Sequence, residues 1–205
     1  MFQEKFVLLV KELKEAFTPK GYLLTSAVTA TQYHIDLSYD VPELNNYLDF
    51  INLMTYDYHG TWDEGTGVNA PLFPQETDDP NLNLNVNHSV HVWINNGASP
   101  SKLVLGLGAY GRSFTLTSLD NTGIGAPFDG PGANGPYTEE PGYFGYNEAQ
   151  YAKEMGLGGI MYWAVDLDDF SGICGDKGYS SQQILQQGLG RGDYRGEAKL
   201  RHIAL

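Results

Sequence analysis

Residues 50–62, FINLMTYDYHGTW, decide how the rest of the sequence is interpreted. The stretch begins as an apolar run, turns polar and aromatic at Tyr56 and Asp57, and stops at Gly60. Short apolar runs of this kind predict strands that are buried on both faces, with polar residues emerging at the carboxyl end. Open α/β sheets and α/β barrels place their chemistry at that end of the strands.

Two other stretches have the same pattern, and a further apolar run precedes all three. Residues 102–113, KLVLGLGAYGRS, and 158–170, GGIMYWAVDLDDF, each pass from apolar to polar or aromatic residues. Residues 22–30, YLLTSAVTA, form an apolar, β-branched run that also predicts a strand. We expect the three strands with polar ends to direct those ends at one ligand.

Amphipathic segments with helical spacing separate these strands. Helices are predicted over residues 4–17, 41–48, 147–155 and 179–187, and from a cap at Asn85 or Asn87 through Asn95. Alternation of helices and strands predicts a parallel sheet built from βαβ units.

The remaining segments are rich in loop-forming residues. Residues 31–39 are predicted to be a loop, and 60–80 a long surface loop whose length indicates either function or disorder. Residues 115–150 carry many Gly and Pro residues and are interpreted as a lobe inserted in the main scaffold. The polar segment 190–205 is predicted to be a loose tail.

Composition excludes several classes of partner. The formal charge of −13 and the pI of about 4.6 argue against binding to nucleic acid or anionic membranes. No segment approaches the ~20 apolar residues of a membrane span, and the start of the chain does not resemble a signal peptide. The single cysteine, Cys174, cannot form an intrachain disulfide.

No metal or cofactor is expected. His88 and His91 lie one helical turn apart, but no third ligand is near them in sequence, so a half-exposed helix face is the better interpretation. Asp166, Asp168 and Asp169 are likewise unaccompanied by further residues at ligand spacing.

Four motifs in order resemble the C-terminal half of a family 18 glycoside hydrolase, the group of chitinases and chitinase-like lectins. They are SAVTA at 26–30, NLMTYDYHGTW at 52–62, LVLGLGAYGRSFTL at 103–116 and GLGGIMYWAVDLDDF at 156–170. The resemblance makes them the fifth to eighth strands of a (β/α)8 barrel. It implies an α/β fold: a partial barrel over 1–114 and 151–189, with a truncated α+β lobe at 115–150 after the seventh strand.

The resemblance also implies roles for individual residues. The Tyr56 hydroxyl would hold the N-acetyl group of the substrate, Asp57 would contact sugar hydroxyls, and Trp163 would form the floor under the cleaved sugar. Trp62 would lie on the leaving-group side, and Tyr110 and Arg112 would reach the substrate from the lobe side. The predicted substrate-binding residues are Met54, Tyr56, Asp57, Trp62, Tyr110, Arg112, Met161 and Trp163.

The sequence departs from the family at its catalytic signature. No segment fits Asp-x-x-Asp-x-Asp-x-Glu, whose glutamate is the family's general acid and whose aspartate orients the attacking substrate acetamide. Tyr56 and Asp57 would therefore support catalysis without replacing the acid, and the chain alone is expected to be inactive. Four strands cannot close a barrel, so we also expect exposed sheet edges and self-association.

Three functions remain open at this point. The chain is part of a chitinase that cleaves β-1,4-linked N-acetylglucosamine, or it is a non-catalytic chitin-binding protein like the family's lectins. An interaction protein that uses Arg191-Gly192-Asp193 is the third and weakest alternative, because the tripeptide recurs by chance. By resemblance, the full-length protein is expected to be extracellular.

Overall fold

The computed structural model describes residues 2–74, 83–108, 110–132, 155–156, 159–163 and 202–204. Its helices are α1 (Phe2–Phe17), α2 (Gln32–Ser38), α3 (Val41–Tyr47) and α4 (Val86–Asn95), with short 3-10 helices at Thr18–Lys20 and Pro100–Lys102. Its strands are β1 (Leu23–Thr29), β2 (Phe50–Met54), β3 (Leu103–Gly108), β4 (Phe114–Leu116), β5 (Phe128–Pro131), β6 (Gly159–Trp163) and β7 (His202–Ala204).

Five of these strands form one parallel sheet in the order β6-β3-β2-β1-β7. Helices separate β1 from β2 and β2 from β3, so the predicted parallel sheet of βαβ units is confirmed. The register pairs Leu53 with Leu105, and it pairs Gly106 with Met161 and Gly108 with Trp163. The carboxyl ends of β2, β3 and β6 therefore meet at one edge, as their sequences predict.

One face of the sheet packs against the helices and forms the core. Alternate residues of β1 and β2 reach this face, and α4 contributes the fully buried Trp93, whose indole N–H donates to the Thr29 carbonyl at 3.1 Å. The largest fully buried side chains are Trp93, Leu24, Ile35, Leu44, Leu48, Ile51, Leu53, Leu103, Leu105, Val10, Val28 and Val86. Burial of these side chains is the main stabilising contribution to the sheet–helix contact.

Caps and an ion pair fix the ends of the helices. The Asn85 side chain accepts from the His88 backbone N–H at 2.8 Å, which confirms the predicted start of α4 at that cap. The carboxylate of Asp49 accepts from Lys14 Nζ of α1 at 2.6 Å and from the Leu24 backbone N–H at 2.7 Å. Asp49 thereby joins α1 to the first residues of β1 and to the start of β2.

Two local predictions are wrong. Residues 32–38, predicted as loop, form α2, because Ile35 is fully buried in the core and its burial favours a helical turn in a polar segment. His202–Ala204, predicted as part of a loose tail, pair in parallel with Leu23–Thr25 of β1. An open strand edge presents unpaired backbone groups, and this pairing satisfies those of β1.

Several other predictions concern residues outside the described part. They include the helix predicted over 179–187. The helix predicted over 147–155 also lies there, apart from its last residue, Met155. Cys174, the three aspartates at 166, 168 and 169, and the tripeptide at 191–193 also lie there. Among the residues that the structure does describe, no helix has the length and apolar character needed to cross a membrane.

The approach of β2 to β3 requires glycine at position 106. A Cβ added to Gly106 would lie 2.0 Å from the Leu53 carbonyl oxygen and 3.0 Å from Met161 Cε. The first neighbour is backbone and cannot move aside without parting the two strands. Gly106 thus permits a strand spacing that other residues would prevent.

Substitution of Gly106 by Ala should destabilise the protein strongly. We expect a loss of about 3 kcal/mol or more in the free energy of unfolding, at the upper end of overpacking effects, measured by urea denaturation. Gly130→Ala is the matched control, because a Cβ at Gly130 meets nothing within 4 Å. Equal stability of the two variants would show that the spacing of β2 and β3 does not require glycine at position 106.

Candidate functional site

Side chains on the second face of the sheet line up in rows across β2, β3 and β6. Met54, Gly106 and Met161 share one row, since Leu53 pairs with Leu105 and Gly106 with Met161. Beyond that row towards the carboxyl ends, Gly108 pairs with Trp163, whose side chain is 56% exposed. Neighbouring side chains lie over the two glycines of β3: an added Cβ would be 3.0 Å from Met161 Cε at Gly106 and 3.2 Å from Tyr110 Cε1 at Gly108.

Asp57 is the centre of a polar group just beyond the end of β2. Its Oδ1 accepts from Arg112 Nη2 at 2.6 Å and from Arg112 Nε at 3.0 Å. Tyr110 lies beside the same residue, which contributes to the raised pKa of its hydroxyl. Charge-assisted bonds of this kind are short and directional, so Arg112 and Asp57 fix each other in position.

The backbone of Asp57 adopts a left-handed conformation with φ of 59°. Among non-glycine residues, Asp and Asn are enriched there because a short polar side chain can compensate locally. The Asp57 N–H is held by the side-chain oxygen of Asn69 at 3.1 Å. This turn directs the chain away from the strand immediately after Tyr56.

The guanidinium of Arg112 lies between two aromatic rings. Its Cζ is 5.1 Å from the centroid of the Trp62 ring and 5.5 Å from that of Tyr110. Both distances are within the range of a cation–π contact. Tyr110 in turn packs edge to face on Tyr56, with ring centroids 5.9 Å apart. Five of the eight predicted binding residues therefore form one contiguous group.

The environment raises the pKa of both tyrosines. Partial burial, and secondly the charge of Asp57, raise the pKa of Tyr56 from 10.0 to about 12. Burial, followed by the hydrogen bond to Asp57, also raises the pKa of Tyr110. At neutral pH both hydroxyls keep their protons, and that of Tyr56 can donate a hydrogen bond.

A tight turn places Trp62 beside this group. Asp63 Oδ2 accepts from the Gly60 N–H at 2.9 Å and contacts His59 Nδ1 at 3.2 Å. The Trp62 ring closes over Gly60, where an added Cβ would come within 2.4 Å of the indole. The ring is nevertheless 57% exposed, so the turn presents an aromatic surface to solvent.

The loop after β2 is docked on the β4–β5 lobe through backbone atoms. Thr66 N–H donates to the Ala126 carbonyl at 3.0 Å, and the Gly125 N–H donates to the Thr66 carbonyl at 2.7 Å. A Cβ at Gly65 would lie 2.8 Å from the Gly125 carbonyl oxygen. The described part of the long loop, predicted to be functional or disordered, is thus tied to the lobe that carries Phe114 and Phe128.

This arrangement suits a flat, hydroxyl-rich ligand. Exposed indole rings at Trp62 and Trp163 offer surfaces for apolar ring faces, and tyrosine hydroxyls and the Asp57–Arg112 pair offer donors and acceptors. Among the described residues there is no group of three or more His, Cys, Asp or Glu side chains placed to hold a metal ion. His88 and His91 contact Gln32 Oε1 and the Asn87 carbonyl, respectively.

Comparison with known proteins assigns the family. The model for glycosyl hydrolases family 18 matches residues 2–150. The chain belongs to this family. Mouse Chitotriosidase-1 is 35% identical over 232 residues, a match that covers 91% of this chain and 50% of the mouse protein.

Solved structures of family members agree with the fold. The Group IV chitinase of Ostrinia furnacalis superposes with a TM-score of 0.84 at 34% identity, and covers 92% of this chain and 63% of its own. Human YKL-39 gives a TM-score of 0.83 at 33% identity, with 92% and 65% covered. The predicted fold class is confirmed: the strands and helices are part of a family 18 (β/α)8 barrel. The chain spans about half to two thirds of the length of these relatives.

Sequence reasoning missed the residues that hold the group together. Asn69 contacts both Asp57 and Tyr110, and Asp63 shapes the turn under Trp62. Gly108 lies next to Tyr56, Tyr110 and Asn69. The only available signal was their place in a loop next to a strand with functional residues, since short polar side chains commonly bond to nearby backbone there.

The raised pKa of Tyr56 predicts that the fold becomes less stable at alkaline pH. Its folded-state pKa of about 12 lies above the free value of 10.0, so its contribution is complete below about pH 10 and is lost as the pH rises through about 12. We expect the free energy of unfolding to fall over this interval, and to fall less steeply in Tyr56→Phe. Tyr33→Phe, at an exposed position on α2, serves as the control and should retain the native slope. A Tyr56→Phe slope equal to the native one would contradict this reading.

Proposed function

We propose that this chain supplies the carbohydrate-positioning half of a groove for β-1,4-linked N-acetylglucosamine oligomers, as in chitin. The observation that carries the proposal is the contiguous group of Tyr56, Asp57, Trp62, Tyr110 and Arg112 at the carboxyl ends of β2 and β3. Trp163 is exposed on the same face of the sheet, at the end of β6.

The chemistry of the sugar matches this group. A pyranose ring has apolar faces that stack on indole, which Trp163 and Trp62 provide. Its N-acetyl carbonyl accepts a hydrogen bond, and Tyr56 remains protonated to donate one. Its hydroxyls both donate and accept, which suits the carboxylate of Asp57 beside the guanidinium of Arg112.

Similar proteins support the same class of ligand. YKL-39 was crystallised in the presence of chitooligosaccharides, and the Group IV chitinase of Ostrinia furnacalis was crystallised with allosamidin. Human YKL-39 is described as a pseudo-chitinase that retains chitooligosaccharide binding. Because the chain is similar both to proteins named as chitinases and to this pseudo-chitinase, a non-catalytic lectin is the second candidate function, beside part of an active hydrolase.

An active hydrolase requires a general acid and a lectin does not, and these 205 residues do not supply that acid. The carboxylate in the middle of the described group, Asp57, is paired with Arg112 and so is poorly placed to protonate a leaving group. We propose that the chain by itself binds without cleaving, and that the whole protein acts on or binds chitin outside the cell.

Binding and cleavage can be measured on the same chain. We expect isothermal titration calorimetry to detect binding of N,N′,N″,N‴-tetraacetylchitotetraose and not of cellotetraose, which lacks N-acetyl groups. The chitotetraose should be recovered uncleaved. Trp163→Ala should weaken binding by about tenfold, because it removes a stacking surface worth ~1.4 kcal/mol.

The control for that variant is another exposed aromatic. Phe2, at the start of α1 in the helical layer, is 87% exposed, and Phe2→Ala should leave the affinity unchanged. Equal binding of the two tetrasaccharides would contradict recognition of the N-acetyl group. Cleavage above a no-protein control would contradict the non-catalytic role of the isolated chain.

A further inference from the structure

The loop residue Asn69 lies between the ends of the two strands that carry the polar group. Its side-chain Oδ1 accepts from the Asp57 backbone N–H at 3.1 Å, and its Nδ2 donates to the Tyr110 carbonyl at 2.9 Å. Its own carbonyl accepts from the Tyr58 N–H at 3.0 Å. One residue thus contacts the chain on both sides of the group.

The chemistry of these partners fixes the orientation of the amide. A backbone N–H can only donate and a carbonyl can only accept, so the Asn69 oxygen must face Asp57 and its nitrogen must face Tyr110. Among side chains, only those of Asn and Gln carry an amide, which offers a donor and an acceptor on one planar group. The longer side chain of Gln would displace one of the two contacts.

The strands are shaped to admit this amide. The backbone ladder of β2 and β3 runs from Ile51 to Leu53 on β2, and Asn69 crosses between the strands beyond it. Gly108 lies beside the amide: a Cβ there would be in ordinary contact with Asn69 Nδ2 at 3.4 Å and would crowd Tyr56 Cβ at 3.2 Å. The amide therefore takes the place of backbone pairing beyond the end of the ladder.

We propose that Asn69 is a positioning residue for the Asp57–Arg112 pair. By holding the Asp57 N–H it stabilises the left-handed backbone at φ 59°, which aims the carboxylate at Arg112. By holding the Tyr110 carbonyl it fixes the segment from which Tyr110 and Arg112 arise. Asn69 would act on the ligand through these residues, and that part of the proposal rests on the proposed function.

The pair itself gives a signal that does not require sugar binding. The Arg112 Nε–H donates to Asp57, so its ¹H–¹⁵N resonance should be protected from exchange and shifted from that of a free arginine. Arg112→Lys assigns this resonance. In Asn69→Ala we expect it to broaden or move to the free position, and we expect chitotetraose affinity to fall about tenfold.

Asn45→Ala is the matched control. The Asn45 amide also joins two segments, accepting from the Ser99 N–H at 2.9 Å and donating to Ser99 Oγ at 3.3 Å, but it lies between α3 and the turn before β3. This variant should lose stability while keeping the Arg112 resonance and the native affinity. An Arg112 resonance unchanged in Asn69→Ala would overturn the positioning role, whatever the sugar affinity.

A second variant keeps the test decisive if Asn69→Ala does not fold. Asn69→Asp has nearly the same shape and keeps an acceptor for Asp57, but it places an acceptor oxygen against the Tyr110 carbonyl. We expect its affinity to fall at least about threefold, and native affinity would overturn the proposal. Absence of sugar binding by the native chain, with the Arg112 response intact, would instead contradict only the proposed function.

Discussion

The end of backbone pairing between β2 and β3, at their carboxyl ends, is the feature on which the candidate site depends. The two strands are held very close at Gly106, where only glycine fits against the Leu53 carbonyl. Past the end of their backbone ladder, side chains make the connection: Thr55 Oγ1 donates to the Gly106 carbonyl at 2.5 Å and Asn69 bridges to Tyr110. Beyond the ladder, polar and aromatic side chains therefore take over from backbone pairing.

These side chains make the carboxyl edge of the sheet a candidate binding surface. Tyr56 and Asp57 follow β2, and Tyr110 and Arg112 follow β3. Burial raises the pKa of Tyr56, and the Arg112 guanidinium balances the Asp57 charge. A group that is internally paired in this way is rigid before the ligand arrives, which lowers the entropic cost of binding.

Much of this could be predicted from the sequence, because it follows from local pattern. The apolar runs at 50–54 and 103–108 specify buried strands, and polar residues after them must emerge at one edge of a parallel sheet. What could not be predicted depends on contacts between distant segments. α2 forms because Ile35 is buried in the core, and His202–Ala204 pair with β1 because that strand has an open edge. The contacts of Asn69 join the ends of two strands, and no sequence pattern relates those ends.

The central claim is that exposed aromatic rings at this edge of the sheet stack on N-acetylglucosamine units. The three indole N–H resonances test it most directly, because Trp62 and Trp163 are exposed whereas Trp93 is fully buried and bonded to Thr29. In a titration with tetraacetylchitotetraose followed by ¹H–¹⁵N NMR, the account predicts that the Trp62 and Trp163 resonances shift with saturation while that of Trp93 stays fixed. Saturable binding that leaves both exposed indoles unshifted would contradict it.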